Sequence, residues 1–322
     1  MQLHVLDGLV YLVKHGSHAY GLARSESDLD VKGIVIVPTD VFIGYTTNFE
    51  QTINNPDIQE FLGLGSIDSV VYGLQKFFKL AADCNPNIIE LLWVDSSDLL
   101  IHSRAGKAIR AARDLFLSLK AKHTFSGYAH AQLKRIKIHR RWLLDPPKGR
   151  PERADFGLPE EKLISGDALG TVISLENGGY SFSTALMEAI KKEKAYAAAL
   201  AHWKQYENWK KTRNPKRAAL EAKYGYDTKH AMHLIRLMRM CVEILSGRGV
   251  IVRRTEDVEQ LNEIRDGQWD YETVLDVAEA LEDKAERLYK ENPAGLPKGA
   301  NHKKLNTLCV ELQKGEQFAY GG

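Results

Sequence analysis

Two aspartates, Asp28 and Asp30, stand two apart where a polar turn gives way to the apolar run Val31–Val37 (VKGIVIV). Residues i and i+2 of a strand point to the same face. A strand opening here therefore presents both carboxylates together, and two like charges side by side are costly unless a cation lies between them. Mg²⁺ suits that position, because it takes oxygen ligands and binds through few carboxylates together with substrate phosphates. Upstream, the β-rich run Val10–Lys14 ends at Gly16-Ser17. A glycine there lets backbone N–H groups approach a phosphate closely, and the serine hydroxyl adds a donor. Each half alone is also met in ordinary turns. The order strand, Gly-Ser, helical turn, Asp-Leu-Asp, strand is what carries specificity.

The remaining periodicity divides the chain. Besides those two strands, Ser66–Tyr72 reads as a third, and Leu74–Ala82 as a helix. Asn85-Pro86 interrupts and opens a further helix over Asn87–Trp93, with the proline at a favourable early position. Apolar spacing then predicts helices over Ala105–Leu119, Thr124–Leu144, Thr184–Lys211, Thr228–Leu245, Glu256–Arg265, Tyr271–Glu291 and His302–Lys314. Asp145–Gly179 is rich in Pro, Gly and charge and reads as a long loop with room for a hairpin. Gly249–Val252 reads as an isolated strand. At 322 residues the chain exceeds what one core usually supports. The expected fold class is α+β: a small mixed-sheet domain over residues 1–120, then a mainly helical domain over residues 121–322.

Composition excludes several classes. Lys and Arg total 44 against 42 Asp and Glu, so any nucleic-acid affinity must come from local positive charge. Cys84, Cys241 and Cys309 lie far apart with no CxxC spacing, which argues against a zinc ribbon or disulfide framework and for buried thiols. The first residues lack the basic start of a signal peptide, and no stretch of about 18 apolar residues occurs, so no membrane span and a cytoplasmic protein are expected. Gly16 and Gly21 have P-loop spacing, but Leu22-Ala23 stands where Lys-Ser/Thr is needed. His230 and His233 lack the HExxH pattern and acidic partner of a zinc hydrolase.

Two further constellations carry charge. In the helix Thr228–Leu245, Lys229, His233 and Arg236 fall at i, i+4 and i+7 and share a face on an otherwise apolar helix. They suit a nucleotide's phosphates, Lys as a compact charge and Arg as a fork. Surface ion pairs would give the same spacing, and His230 lies off that face. Arg265, at the end of the next helix, either supports the site or complements the helix dipole. Lys134, Arg135, Lys137, Arg140 and Arg141, with Lys148, Arg150 and Arg153 beyond, form a local basic patch. It reads as a solvated helix face or as a track for a nucleic-acid backbone. Tyr128 and Trp142 are candidates for base stacking or for core.

With these residues in view, the chain resembles the DNA polymerase beta-like nucleotidyltransferase superfamily. Its signature is a Gly-Ser followed about ten residues later by an Asp-x-Asp opening a strand, and here the gap runs from His18 to Ser27. The segments HGSHAYGLARSESDLDVKGIVIVP, IDSVVYGLQKFFKLAADCNPNIIELLW, FSGYAHAQLKR, GYDTKHAMHLIRLMRMCVEIL and EIRDGQW resemble its RNA-repair-associated subgroup of bacteria and phages. The resemblance implies transfer of a nucleotidyl group from an NTP, ATP or CTP, with pyrophosphate release. It implies two Mg²⁺ ions, with Mn²⁺ able to stand in, held by Asp28, Asp30 and a third carboxylate on a nearby strand. Asp68 is the first candidate, Glu60 the second, and Asp57 the third. The third carboxylate would also accept the attacking hydroxyl's proton. The resemblance further favours Gly16, Ser17, Lys229, His233 and Arg236 as nucleotide-binding residues, and an RNA 3′ end of tRNA type as acceptor. Protein nucleotidylation and a non-catalytic nucleotide- or RNA-binding module are the alternatives. Intact Gly16, Ser17, Asp28 and Asp30 argue against the second of these.

Overall fold

The computed structural model of the chain describes residues 4–45, 49–63, 67–162, 165, 171, 174 and 183–315. Much of the loop expected within Asp145–Gly179 lies outside the described residues. The fold class is the expected α+β, a five-stranded mixed sheet followed by a mainly helical region.

The sheet comprises β1 (Leu9–His15), β2 (Asp30–Val35), β3 (Gln51–Ile53), β4 (Asp68–Gly73) and β5 (Leu99–His102), in the spatial order β3-β4-β2-β1-β5. β2 pairs antiparallel with β1 and parallel with β4. Nearly continuous apolar runs make β1 and β2 central: Tyr11, Leu12, Val13, Val31, Ile34 and Val35 are all fully buried. Short helices connect the strands: α1 (Gly16–Tyr20), α2 (Thr39–Ile43), α3 (Pro56–Leu62), α4 (Leu74–Ala82), α5 (Pro86–Ile89) and α6 (Arg104–Ala111). α4 turns Phe77, Phe78 and Ala81 inward, where Phe78 meets Phe116 edge-on at 5.2 Å between ring centroids.

The helix expected over Ala105–Leu119 ends early. After Ala111 the chain makes a 3₁₀ turn, Arg113–Leu115, which swings Phe116 into the core at 0% exposure. Gly249–Val252 is not a strand: Val250 and Val252 are buried without sheet pairing, so their β-rich composition reflects packing alone. The helix expected over Asn87–Trp93 is α5 followed by a 3₁₀ turn, Glu90–Trp93.

Beyond the sheet come α7 (Lys120–Leu144), α8 (Thr184–Thr212), α9 (Pro215–Tyr224), α10 (Thr228–Leu245), α11 (Val258–Arg265), α12 (Tyr271–Glu291) and α13 (His302–Gly315). Contacts divide the chain into two compact units, one drawn from Met1–Arg135 with Thr228–Gly322, the other from Ile136–Asp227. In the first, α10 is buried along most of its length and packs on α11 and α12. Among the described residues, no helix is long and apolar enough to cross a membrane.

The second unit has its own aromatic core. Trp142, 6% exposed, donates from Nε1 to His202 Nε2 at 2.9 Å and packs against Trp209 and Tyr206. Trp142 is therefore a core residue and not a stacking platform. Glu221 and Asp227 lie buried side by side, each with His139 Nδ1 3.8 Å away. Burial and the neighbouring Asp227 raise the Glu221 carboxyl to about 7, against the opposing pull of Arg213 and His139. An acid with a raised folded pKa loses stability as pH rises from its unfolded value, about 4.3, to the folded one. The melting temperature of Glu221→Gln relative to wild type is therefore expected to climb between pH ~4.5 and ~7 and then level off. A difference that stays flat across that range in thermal melts would contradict it.

Candidate active site

β1 delivers the chain to a tight turn. Gly16 follows His15 with φ +62°, a left-handed conformation that glycine adopts without strain. It also cannot carry a side chain here, because a Cβ on Gly16 would collide with Asp30 Oδ2. The close approach of turn and carboxylate is thus built into the residue choice. α1 is a single turn closed by Gly21, with Leu22 N–H donating to Ser17 O at 2.8 Å.

Strand pairing places the acids. Asp30 opens β2 opposite His15 of β1 and opposite Asp68 of β4, so Asp30 and Asp68 are direct neighbours in the parallel register. Asp68 N–H donates to Leu29 O at 3.3 Å, which ties the two strand starts together. Asp28 precedes on the same edge. Asp28 and Asp68 are exposed, and Asp30 is half-buried between them. The Asp30 carboxyl is raised above the ordinary range, first by burial, then by Asp68 and, more weakly, Asp28; Lys32 and Lys229 pull it down.

These residues line one cavity of about 260 Å³. Its walls comprise Gly16, Ser17, Tyr20 and Leu22 around α1; Glu26, Ser27, Asp28, Asp30 and Asp68; and Lys229, Met232, His233 and Arg265. The cavity has an acidic side and a cationic side. The three aspartates, with like charges on both sides of Asp30, are oxygen donors and fit a hard divalent cation. Glu60 and Asp57 lie on α3 and do not line the cavity; Asp57 sits 3.5 Å from His4.

The cationic stripe of α10 divides. Lys229 and His233 reach the cavity, and Arg236 does not. Arg236 is 4% exposed, donates to Glu90 Oε1 at 2.8 Å and lies 3.8 Å over the Tyr20 ring. Arg236, expected to share the cavity with Lys229 and His233, is outside its lining, and its guanidinium is engaged in a buried ion pair with Glu90. His230 is buried and outside the cavity wall. Arg265 lines the wall and donates from Nη1 to Leu22 O at 2.7 Å, and its own carbonyl accepts from Thr228 Oγ1 at 2.9 Å.

The basic patch lies on α7. Lys134, Arg135, Lys137 and Arg141 are exposed there, and Arg140 is half-buried. Tyr128 is half-buried, its hydroxyl accepting from Asn85 Nδ2 at 2.9 Å.

Residues 2–142 match the family model described as RlaP, the RNA repair pathway DNA polymerase beta family. This segment is similar to that family, in agreement with the subgroup that the sequence resembles. The RlaP segment holds the Gly16-Ser17 turn, all three aspartates and most of the basic patch, whereas Lys229, His233 and Arg265 lie beyond it. Polymerase beta-like nucleotidyltransferases generally use divalent metals, which agrees with the acidic wall. The chain is similar to an uncharacterized 38.9 kDa protein in the nrdC-mobD intergenic region of Enterobacteria phage T4. The two are 31% identical over 128 residues, covering 38% of this chain and 37% of the phage protein. The match thus spans little more than a third of either chain. No solved structure matches.

Sequence reasoning passed over Glu90, Lys32, Tyr20 and Met232. Two of them carried a signal. Lys32 follows Asp30 at i+2 and so shares its face, and Glu90 is a lone carboxylate in the apolar run IIELLW, where burial demands a partner.

Proposed function

We propose that the protein is a metal-dependent nucleotidyltransferase that moves a nucleotidyl group from an NTP to the 3′ hydroxyl of an RNA, releasing pyrophosphate. The observation that carries the reading is the convergence of Asp28, Asp30 and Asp68 with Gly16-Ser17, Lys229 and His233 around one cavity. Residues 1–120 supply the acids and the Gly-Ser turn, and residues 121–322 supply the cationic wall and the basic helix.

Asp28, Asp30 and Asp68 would hold the Mg²⁺ ions, which when bound lower the pKa of an attacking hydroxyl and neutralise charge on a departing pyrophosphate. The remaining tasks fall to the chain itself. The backbone and hydroxyl of Gly16-Ser17 donate to phosphate oxygens. Lys229 and His233 offset the triphosphate's charge from the opposite wall, with Arg265 beside them. Asp68, the more exposed neighbour of Asp30, accepts the proton of the acceptor hydroxyl. Met232 and Leu22 give the nucleotide an apolar surface. ATP and CTP are the expected donors.

The test is pyrophosphate release with Mg²⁺ and each NTP, with and without bulk tRNA. RNA-dependent release supports the reading. Release that needs a protein and ignores RNA would replace the acceptor, and no release in any condition would sink it. The RNA track on α7 has its own signature. Arg140→Glu with Arg141→Glu is expected to weaken RNA binding at least tenfold and to flatten its log–log salt slope by about 1.4, for two lost contacts to a single strand. An unchanged slope in filter binding would remove the patch from the interface.

A further inference from the structure

We infer that Glu90 and Arg236 are positioning residues: their buried ion pair sets the cationic wall, Lys229 and His233, in register with the Gly16-Ser17 turn. The inference rests on the nucleotide-binding reading of that cavity.

Glu90 is 1% exposed, a burial that a carboxylate tolerates only when its oxygens are fully engaged. Oε1 accepts from Arg236 Nη1 at 2.8 Å. Oε2 accepts from the Tyr20 hydroxyl at 2.6 Å and lies 3.4 Å from His15 Nε2. These partners come from three elements: His15 ends β1, Tyr20 ends α1, and Arg236 belongs to α10. His15 immediately precedes the Gly16-Ser17 turn, and Tyr20 follows it three residues after Ser17. One carboxylate thus joins the end of α1 to α10 by hydrogen bonds, with the His15 ring of β1 packed beside it. The Arg236 guanidinium stacked 3.8 Å over the Tyr20 ring adds an orientation that a flexible ammonium does not supply.

Helix geometry turns this anchor into a positioning device. Lys229, His233 and Arg236 share a face of α10. At 1.5 Å per residue, His233 lies about 4.5 Å and Lys229 about 10.5 Å along the axis from the anchored Arg236. A slip or rotation of α10 at the anchor moves both cavity residues. An apolar pair of the same volume would stabilise the core as well or better. What the charged pair adds is direction.

The test is a double-mutant cycle on nucleotide affinity, measured by calorimetry with Mg²⁺ and ATP or CTP on the full chain, with thermal melts run alongside. Arg236→Lys keeps the charge and loses the planar fork. It is expected to weaken binding about tenfold, and Lys229→Ala is expected to cost much less in that background than in wild type. If Arg236→Lys does not fold at the assay temperature, Glu90→Gln takes its place in the same cycle. A folded anchor variant with wild-type affinity and an additive cycle overturns the inference alone, leaving the ion pair a stability element. A wild-type protein that binds none of the four NTPs overturns the nucleotide reading and the inference with it.

Discussion

Asp30→Asn is expected to reduce nucleotidyl transfer by about a thousandfold or more while leaving the melting temperature unchanged or raised. A thousandfold loss corresponds to roughly 4 kcal/mol of transition-state stabilisation, at 1.36 kcal/mol per decade. Both halves of the result follow from one arrangement. Asp30 is the most enclosed of the three aspartates, opposite Asp68 in the parallel register and against Gly16. Asparagine preserves its shape and one acceptor oxygen but removes the charge a divalent cation requires. The same charge is a burden to the folded protein alone, because burial and Asp68 already raise its pKa. Removing it relieves that repulsion. Pyrophosphate release and a thermal melt on the same preparation read both arms. Near-normal release, or a large drop in melting temperature, would show that Asp30 has a structural task instead.

The second large effect concerns stability. Arg236→Met leaves Glu90 buried beside Tyr20 and His15 without its cation and is expected to cost about 3–5 kcal/mol. Replacing both partners, Arg236→Met with Glu90→Leu, is expected to recover much of that loss. Arg236, His15 and Tyr20 together hold the Glu90 carboxyl well below the ordinary carboxylate range, against the effect of burial. A depressed folded pKa contributes stability above the unfolded value, about 4.3, and that stability drains away as pH falls below it. The wild-type urea midpoint is therefore expected to fall more steeply below pH ~4.5 than that of the double variant. Parallel acid limbs for the two proteins would mean that this pair is not what titrates.

The strands and helices that sequence periodicity revealed are those with long buried faces. Tyr271–Glu291 was legible to the residue, as was Thr228–Leu245, because each repeats its apolar positions over several turns. β3 and β5, with three and four residues, are too short for alternation to show. α3 escaped notice although Asn55-Pro56 caps it, Asn55 Oδ1 accepting from Asp57 N–H at 2.9 Å. In the cavity, Gly16, Ser17, Asp28 and Asp30 were legible because their spacing is local. Asp68 required pairing between strands far apart in sequence, and only the resemblance pointed to it. Arg236 shows the limit of helical-face reasoning: the wheel correctly groups it with Lys229 and His233, but depth along the helix axis separates a cavity wall from a buried anchor. Nor does the sequence signal that the chain returns at Thr228 to the compact unit that contains the sheet.

The pairing of β2 with β4 has a consequence for how errors in folding would surface. Side chains alternate along β4, so a slip of one residue would turn Asp68 away from Asp30 and present Ser69 in its place. Two contacts guard against this. Ser69 N–H donates to Asn54 Oδ1 at 3.0 Å, and Ser69 Oγ accepts from Asn55 N–H at 3.2 Å, across a turn where Asn54 takes φ +50°. The register beside the acidic cluster is therefore held by the Asn54 side chain and the Asn55 backbone, neither of which lines the cavity. A change at Asn54 that removes its side-chain acceptor is therefore expected to reach the chemistry by loosening the register of a strand.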